Sequence, residues 1–215
     1  MINLILASNS PRRKELISLF GCPFTVIPAD LDESRLADES PIQYVRRLAC
    51  EKAQAVAGQG SGLVMAADTI VADGDELLGK PVDEGDARRM LVQLRGRTHQ
   101  VYTGIALIKT ETGESYDDVC RTDVPMRHYV DAEMDAYIAT RDPMDKAGAY
   151  AIQHAGFHPV EGLSGCFASV MGLPLCHLAV GFRRLGICPP DGLPMRCQEW
   201  LDYDCPVFTG ILGAS

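Results

Sequence analysis

What the sequence lacks narrows its function before any motif is weighed. No stretch approaches the ~18 uninterrupted apolar residues of a membrane span, so no spanning helix is expected. The apolar run at residues 1–7 meets Ser, Pro and two Arg at once, without a small-residue cleavage pattern, and no secretory leader is expected either. Excess positive charge is also missing. Twenty Lys and Arg face 29 Asp and Glu, a formal net charge of −9. A chain this acidic lacks the basic field needed to track a nucleic-acid backbone. It can bind a small anion only where its cations gather locally or a metal ion intervenes. None of the eight cysteines forms a C-x-x-C pair. Cys22, Cys50, Cys120, Cys166 and Cys176 stand singly in apolar or periodic segments, as buried free thiols do. A reduced, cytoplasmic setting is the simplest expectation.

Several catalytic signatures are absent as well. There is no H-E-x-x-H, and Gly162-Leu-Ser-Gly-Cys166 misses the nucleophile-elbow spacing by one residue. Gly58-Gln-Gly-Ser-Gly62 precedes a strand pattern and lacks the spacing of a dinucleotide fingerprint. Gly79-Lys80-Pro81 is no P-loop, because Pro81 replaces the metal-facing hydroxyl. The five histidines are scattered, and Cys176-His177 reads as a core residue beside a surface one. Cys188, Cys197 and Cys205 are separated by gaps of eight and seven residues, which match no standard zinc pattern.

What is present is ordinary globular composition: 215 residues, 47% hydrophobic and 23% charged, enough for one α/β domain or two lobes sharing a sheet. Residues 3–7 read as a buried strand. Ser10-Pro11 opens a helix, with Leu16, Ile17 and Phe20 inward and Gly21 as its stop. Residues 24–28 read as a second strand, followed by an acidic loop, Asp30-Leu-Asp-Glu-Ser-Arg35. Ser40-Pro41-Ile42-Gln43 is a capping box whose helix runs to about Gly58, with Ile42, Val45, Ala49, Ala53 and Val56 on one side. Residues 63–67 form a strand ending at Asp68-Thr69, and Asp73-Gly74 marks a turn, fit for a hairpin. Asp83 caps a helix with Ala87, Met90, Leu91 and Leu94 inward, closed near Gly96. Residues 101–109 and 116–127 read as a hairpin. Asp131 is expected to cap a short helix through Ile138, residues 149–153 and 166–171 to be short strands, and a final helix to end near Gly186. The pattern predicts a mixed sheet flanked by helices. Residues 187–215, rich in Pro and Gly and without periodicity, read as a C-terminal extension outside the core of a domain spanning 1–186.

Two places carry chemistry. Ser8, Asn9 and Ser10 follow the first strand, and Arg12, Arg13 and Lys14 fill the first helical turn, where the free N–H groups and helix dipole favour phosphate. Cations there oppose the dipole, and an anionic ligand would supply the reason for them; a solvated basic turn is the plain alternative. Asp68 lies at a strand end, where it can hold Mg²⁺ or orient an attacking water, or merely cap a turn. Glu33 supplies a possible second carboxylate. Lys80 can meet phosphate as a point charge, and Lys52 by itself reads as a surface lysine.

Five segments occur in order: Leu6-Ala-Ser-Asn-Ser-Pro-Arg-Arg-Lys-Glu-Leu16, Ala67-Asp-Thr-Ile-Val71, Gly79-Lys-Pro81, Asp145-Lys-Ala-Gly-Ala-Tyr-Ala-Ile-Gln153 and Val170-Met-Gly-Leu-Pro-Leu175. Together they resemble the Maf family (septum formation inhibitor Maf), over residues 1 to about 186. The resemblance implies a mixed, curved α/β sheet with two lobes and a cleft, akin to inosine triphosphate pyrophosphatases, often as a homodimer. It implies hydrolysis of nucleoside triphosphates between the α and β phosphates with Mg²⁺ or Mn²⁺. By position, Asp68 corresponds to the proton acceptor, with Glu33 helping Asp68 hold the metal. Ser8, Arg12, Arg13, Lys52 and Lys80 correspond to triphosphate-binding residues. Arg12, Thr69 and Gln153 resemble the dTTP/UTP subgroup. The 7-methyl-GTP subgroup instead carries an aromatic residue and a Gln at the first two places. Gln153 has the donor and acceptor to pair a pyrimidine edge. The family's name leaves a second reading, a non-catalytic nucleotide-binding regulator of cell division. Holding both Glu33 and Asp68 favours catalysis.

Overall fold

The structure, a computed structural model, describes residues 3–213. Strand β1 (Leu4–Leu6) lies between β2 (Phe24–Val26) and β3 (Leu63–Asp73), parallel to both. Parallel strands need crossovers, and two helices supply them: α1 (Pro11–Ser18) and α2 (Pro41–Ala57). The capping box at the start of α2 forms as expected, with Gln43 N–H donating to Ser40 Oγ and Ser40 N–H to Gln43 Oε1. Beyond β3 the sheet becomes antiparallel through β5 (Thr98–Lys109) and β6 (Ser115–Pro125). Short β4 (Glu76–Leu78) folds back on the end of β3 through the Asp73-Gly74 turn. The order is β2-β1-β3-β5-β6, a mixed sheet flanked by helices. Helices α3 (Glu84–Leu94), α4 (Asp131–Ala139), α5 (Phe167–Met171) and α6 (Leu175–Arg184) cover it, followed by α7 (Leu193–Leu201) and α8 (Phe208–Gly213). No helix among the described residues is long and apolar enough to cross a membrane.

Period-2 alternation on β3 sorts its side chains between two faces. Leu63, Met65 and Ala67 join a cluster with Leu16, Ile17 and Phe20 from around α1 and with residues of α5 and α6. Val64 and Ala66 pack instead against Ala49, Ala53 and Val56 of α2. Helix α2 lies so close that a Cβ on Gly104 of β5 would fall 2.4 Å from the Val45 carbonyl oxygen. Further along the long strands a third cluster gathers Val71, Leu78 and Val101 with α3, α4 and Tyr150. Two lobes therefore share β3, β5 and β6, while β1 and β2 end after Leu6 and Val26. Where they stop, a cleft opens.

Several sequence expectations need correction. Strand β3 continues to Asp73, so Asp68-Thr69 sits mid-strand; it is β1, paired only as far as Met65, that ends beside it. Residues 166–171 form helix α5, and 149–153 are irregular after a 3-10 turn at Ala147–Ala149; short apolar runs do not distinguish strand from helix. Val130, not Asp131, is the N-cap residue of α4, with Glu133 reaching back to its N–H. Ser10 occupies the N-cap of α1 but makes no side-chain cap bond. Ile42 is exposed, whereas Leu48 joins the buried face of α2. Cys22 and Cys50 are only half-buried. The segment after Gly186, expected outside the core, carries the two short helices α7 and α8. Leu193 and Cys197 are buried in the first cluster, and the Tyr203 hydroxyl bonds to Gly165 and to the Leu163 carbonyl.

Candidate active site

The cleft encloses about 610 Å³ and is lined from both lobes. From the first come the 7–13 loop, Glu33, Lys52, Asp68 and Thr69; from the second, Gly79, Lys80 and the 145–153 segment. Ser8, Arg12, Arg13, Glu33, Lys52, Asp68, Thr69, Lys80 and Gln153 all line this one space, whereas Lys14 lies outside it and donates to Asn9 Oδ1.

Alternation on β3 gives Asp68 and Thr69 different neighbours. Asp68 points to the α2 face and is buried, with its Oδ1 2.5 Å from Lys52 Nζ. Lys52 is no surface residue. Only 7% exposed, it also meets Glu33 Oε1 at 2.7 Å, so one ammonium bridges both carboxylates and keeps a third N–H. Tyr44 steadies the Glu33 loop by donating to the Glu33 carbonyl at 2.9 Å. Burial raises the Asp68 pKa above the ordinary aspartate value, against the opposing pull of Lys52 and Arg13. A carboxylate so placed is a stronger base than one in water.

Thr69 points the other way, to Arg13. The Arg13 guanidinium donates to the Gly172 carbonyl at 2.9 Å, Ser8 Oγ at 3.2 Å and Thr69 Oγ1 at 3.1 Å. Burial lowers its pKa while Asp68 holds it up. Three bonds use three of its five N–H groups, leaving two for a ligand. Thr69 Oγ1 in turn lies 3.0 Å from Thr103 Oγ1, which donates to the Ser169 carbonyl at 2.8 Å. Helix α5 thus anchors Arg13 and Thr69 through two backbone oxygens.

Arg12 reaches across the cleft to Asp145 Oδ2 at 3.9 Å. Sequence reasoning did not single out Asp145, Lys146 or Tyr150 as site residues. Lys146 is buried, with its ammonium taken up by Asp142 O (2.5 Å), Asp142 Oδ1 (3.0 Å) and Asp145 Oδ1 (2.6 Å). Its donors are filled, so it holds the turn in shape and has none left for phosphate. Tyr150 is tied to buried His99, whose Nε2 lies 2.7 Å from the phenol oxygen. The signal for these residues was the Asp145–Gln153 segment itself, whose irregular backbone forms the far wall. Lys80 and Gln153 are exposed and make no side-chain hydrogen bond or ion pair among the described residues.

Among the described residues, no group of three or more His, Cys, Asp or Glu side chains is arranged to hold a metal. Glu33 and Asp68 nevertheless converge on one point, the Lys52 ammonium. Two carboxylates suit Mg²⁺, which takes one or two protein carboxylates and completes its shell with phosphate oxygens and water.

The chain is similar to known proteins over most of its length. The family model described as Maf-like protein matches residues 3–185. A dTTP/UTP pyrophosphatase of Geotalea uraniireducens is 46% identical over 185 residues, covering 86% of this chain and 95% of the relative. One from Anaeromyxobacter dehalogenans is 47% identical over 189 residues, covering 87% and 96%. Among solved structures, a nucleoside-triphosphatase (dITP/XTP pyrophosphatase) from Mycobacterium abscessus has a TM-score of 0.42 and 17% identity, covering 90% of this chain and 96% of that one. The matched span, residues 3–185, contains every residue that lines the cleft, and the chain belongs to the Maf-like protein family.

Proposed function

We propose that this chain is a nucleoside triphosphate pyrophosphatase that hydrolyses dTTP and UTP to the nucleoside monophosphate and pyrophosphate. The observation that carries the reading is the meeting of buried Asp68 with Lys52 and Arg13 in a single cleft. Attack on a phosphate needs an aligned water, a base and fixed positive charge on the departing group. Asp68 is the base, or shares that work with metal holding. Arg12, Arg13, Lys80 and the spare N–H of Lys52 bind the triphosphate, with Ser8 orienting Arg13. Gln153, with its amide uncommitted, pairs the O4 and N3–H edge of the pyrimidine. The names of the relatives support the choice of base.

A divalent cation, held by Glu33 and Asp68, would supply Lewis-acid charge on the phosphate oxygens. The protein's own part is to keep the two carboxylates together and the cations fixed around them. We place the domain boundary near Gly186, with the following helices bracing the loop before α5 through Tyr203. The test is a nucleotide panel with Mg²⁺ or Mn²⁺ that resolves pyrophosphate from orthophosphate. Pyrophosphate from dTTP and UTP is expected, with loss in chelator. Turnover of 7-methyl-GTP alone would overturn the choice of base, and tight binding without turnover would favour a non-catalytic regulator.

A further inference from the structure

Both walls of the cleft are braced from one face of β5. Period-2 alternation puts His99, Val101 and Thr103 on the same face, and all three are buried. Val101 lines the cleft itself, and Thr103 braces Thr69 in the first lobe. His99, four residues and roughly 13 Å back along the strand, braces Tyr150 in the second.

Stability gives no reason for this histidine. It has no exposed surface, and its Nδ1 is buried without a hydrogen-bond partner among the described residues. Burial lowers its pKa to about 4, so the ring is neutral near pH 7 and carries one N–H. Tyr150 makes no other side-chain hydrogen bond among the described residues. If the phenol donates to Nε2, only the Nδ1 N–H is stranded. The other tautomer strands both Nδ1 and the phenol proton, so the phenol is the donor. Even then a stranded N–H costs at least as much as a neutral bond returns, and two apolar side chains would fill the space without loss.

What the pair does hold is a strained turn. Gly148 has φ +69° and lies against β3, where a Cβ would fall 2.9 Å from Val71 Cγ2. Ala149 has φ +59°, a left-handed conformation that a residue with a Cβ keeps only when its surroundings impose it. Gly148 N–H donates to the Gly79 carbonyl at 3.0 Å, and Ala151 N–H to the Tyr137 hydroxyl at 2.9 Å. Between these two points Tyr150 is held by His99. Gln153 follows, exposed and with no side-chain bond of its own among the described residues, so its backbone alone sets its place.

We propose that His99 is a positioning residue for nucleotide selection, holding Tyr150 from behind so that the 148–151 turn presents Gln153 at one fixed place in the cleft. The inference rests on the reading of Gln153 as the pyrimidine contact. A loosely held amide can turn to offer donor and acceptor in either order, and so suits thymine and cytosine alike. Telling them apart needs a wall that does not move.

The test removes both partners at once. In His99→Leu/Tyr150→Phe no polar atom of the pair is stranded, so the melting temperature should stay within about 3 °C of the parent's or rise. Initial rates of pyrophosphate release are measured with dTTP and with dCTP. KM for dTTP is expected to rise about tenfold with kcat kept within about threefold, and the preference for dTTP over dCTP in kcat/KM to fall by a similar factor. Should the double variant not fold, Tyr150→Phe, which loses only the hydroxyl, carries the same kinetic expectation. Parent KM and parent preference in a folded variant would overturn the inference. So would a fall in kcat with KM unchanged, which would move the pair's effect to the chemical step. A parent chain without dTTP turnover would overturn the pyrimidine reading and this inference with it, whereas an active parent with indifferent variants overturns this inference alone.

Discussion

Replacing Arg13 with Lys separates charge from geometry at the centre of the cleft. Arg13 bonds Gly172 O, Ser8 Oγ and Thr69 Oγ1 at once, across three segments of the chain. A lysine keeps the charge but as a single compact ammonium, and from the same backbone position it can hold at most one of these acceptors at good geometry. Two bonds to a charged donor are lost, worth at least ~1.5 kcal/mol each, or roughly 3 kcal/mol together. Thr69 is partly compensated, because its hydroxyl still has Thr103. For a chain of this size, ~3 kcal/mol corresponds to a fall of roughly 6–12 °C in Tm. The fork also orients two free N–H groups, so kcat/KM for dTTP should fall about tenfold or more, beyond what stability explains. The assay pairs a thermal melt with initial rates of pyrophosphate release at a temperature where the variant is folded. A Lys variant within ~0.5 kcal/mol of the parent and with unchanged kcat/KM would refute the argument, since point charge alone would then suffice.

Three other outcomes follow from the same geometry. Because burial raises the Asp68 pKa, kcat/KM should fall on the acid side with an apparent pKa above the usual ~3.9 of aspartate, a limb absent from Asp68→Asn. The stability contribution has the opposite sign: the folded state holds the Asp68 proton more tightly, so this term is full below the unfolded pKa and fades as pH rises through the folded one. Leu193→Ala should cost about 2–5 kcal/mol by urea titration, because Leu193 is buried in the main cluster; a cost near zero would return residues 187–213 to an appended tail. Gly104→Ala should destabilise by about 1–3 kcal/mol, since its Cβ would meet the Val45 backbone, where a neutral melt would deny the close approach of α2.

The site was more legible in the sequence than its surroundings. The β1–α1 segment stood out, because three cations in a first helical turn conflict with the dipole; the segment alone left a phosphate site and a solvated basic turn both open, and the wider resemblance favoured the first. Asp68 was visible as a carboxylate closing an apolar run, although the run continues as strand and the opening beside it comes from the end of β1. Lys52 was not legible alone. It sits in an amphipathic helix that also carries Arg46, Arg47 and Glu51, and only the packing of α2 on β3 brings it to Asp68. Residues 166–171 misled because so short a run has no period to read, and α5 is fixed by its cap and by the core behind it. The chain after Gly186 misled for a different reason: Pro and Gly mask two short helices that owe their order to docking, with Leu193 and Cys197 as the contacts. Lys146 and His99 act through other residues, and such roles leave no mark in composition or spacing.

The most direct test of the account is where the attacking water goes. Turnover of dTTP in ¹⁸O-labelled water, with both products analysed by mass, reports which phosphorus is attacked. The cleft described here predicts one labelled oxygen in the thymidine monophosphate and none in pyrophosphate. Label in the pyrophosphate, or in orthophosphate released from the γ position, would contradict it.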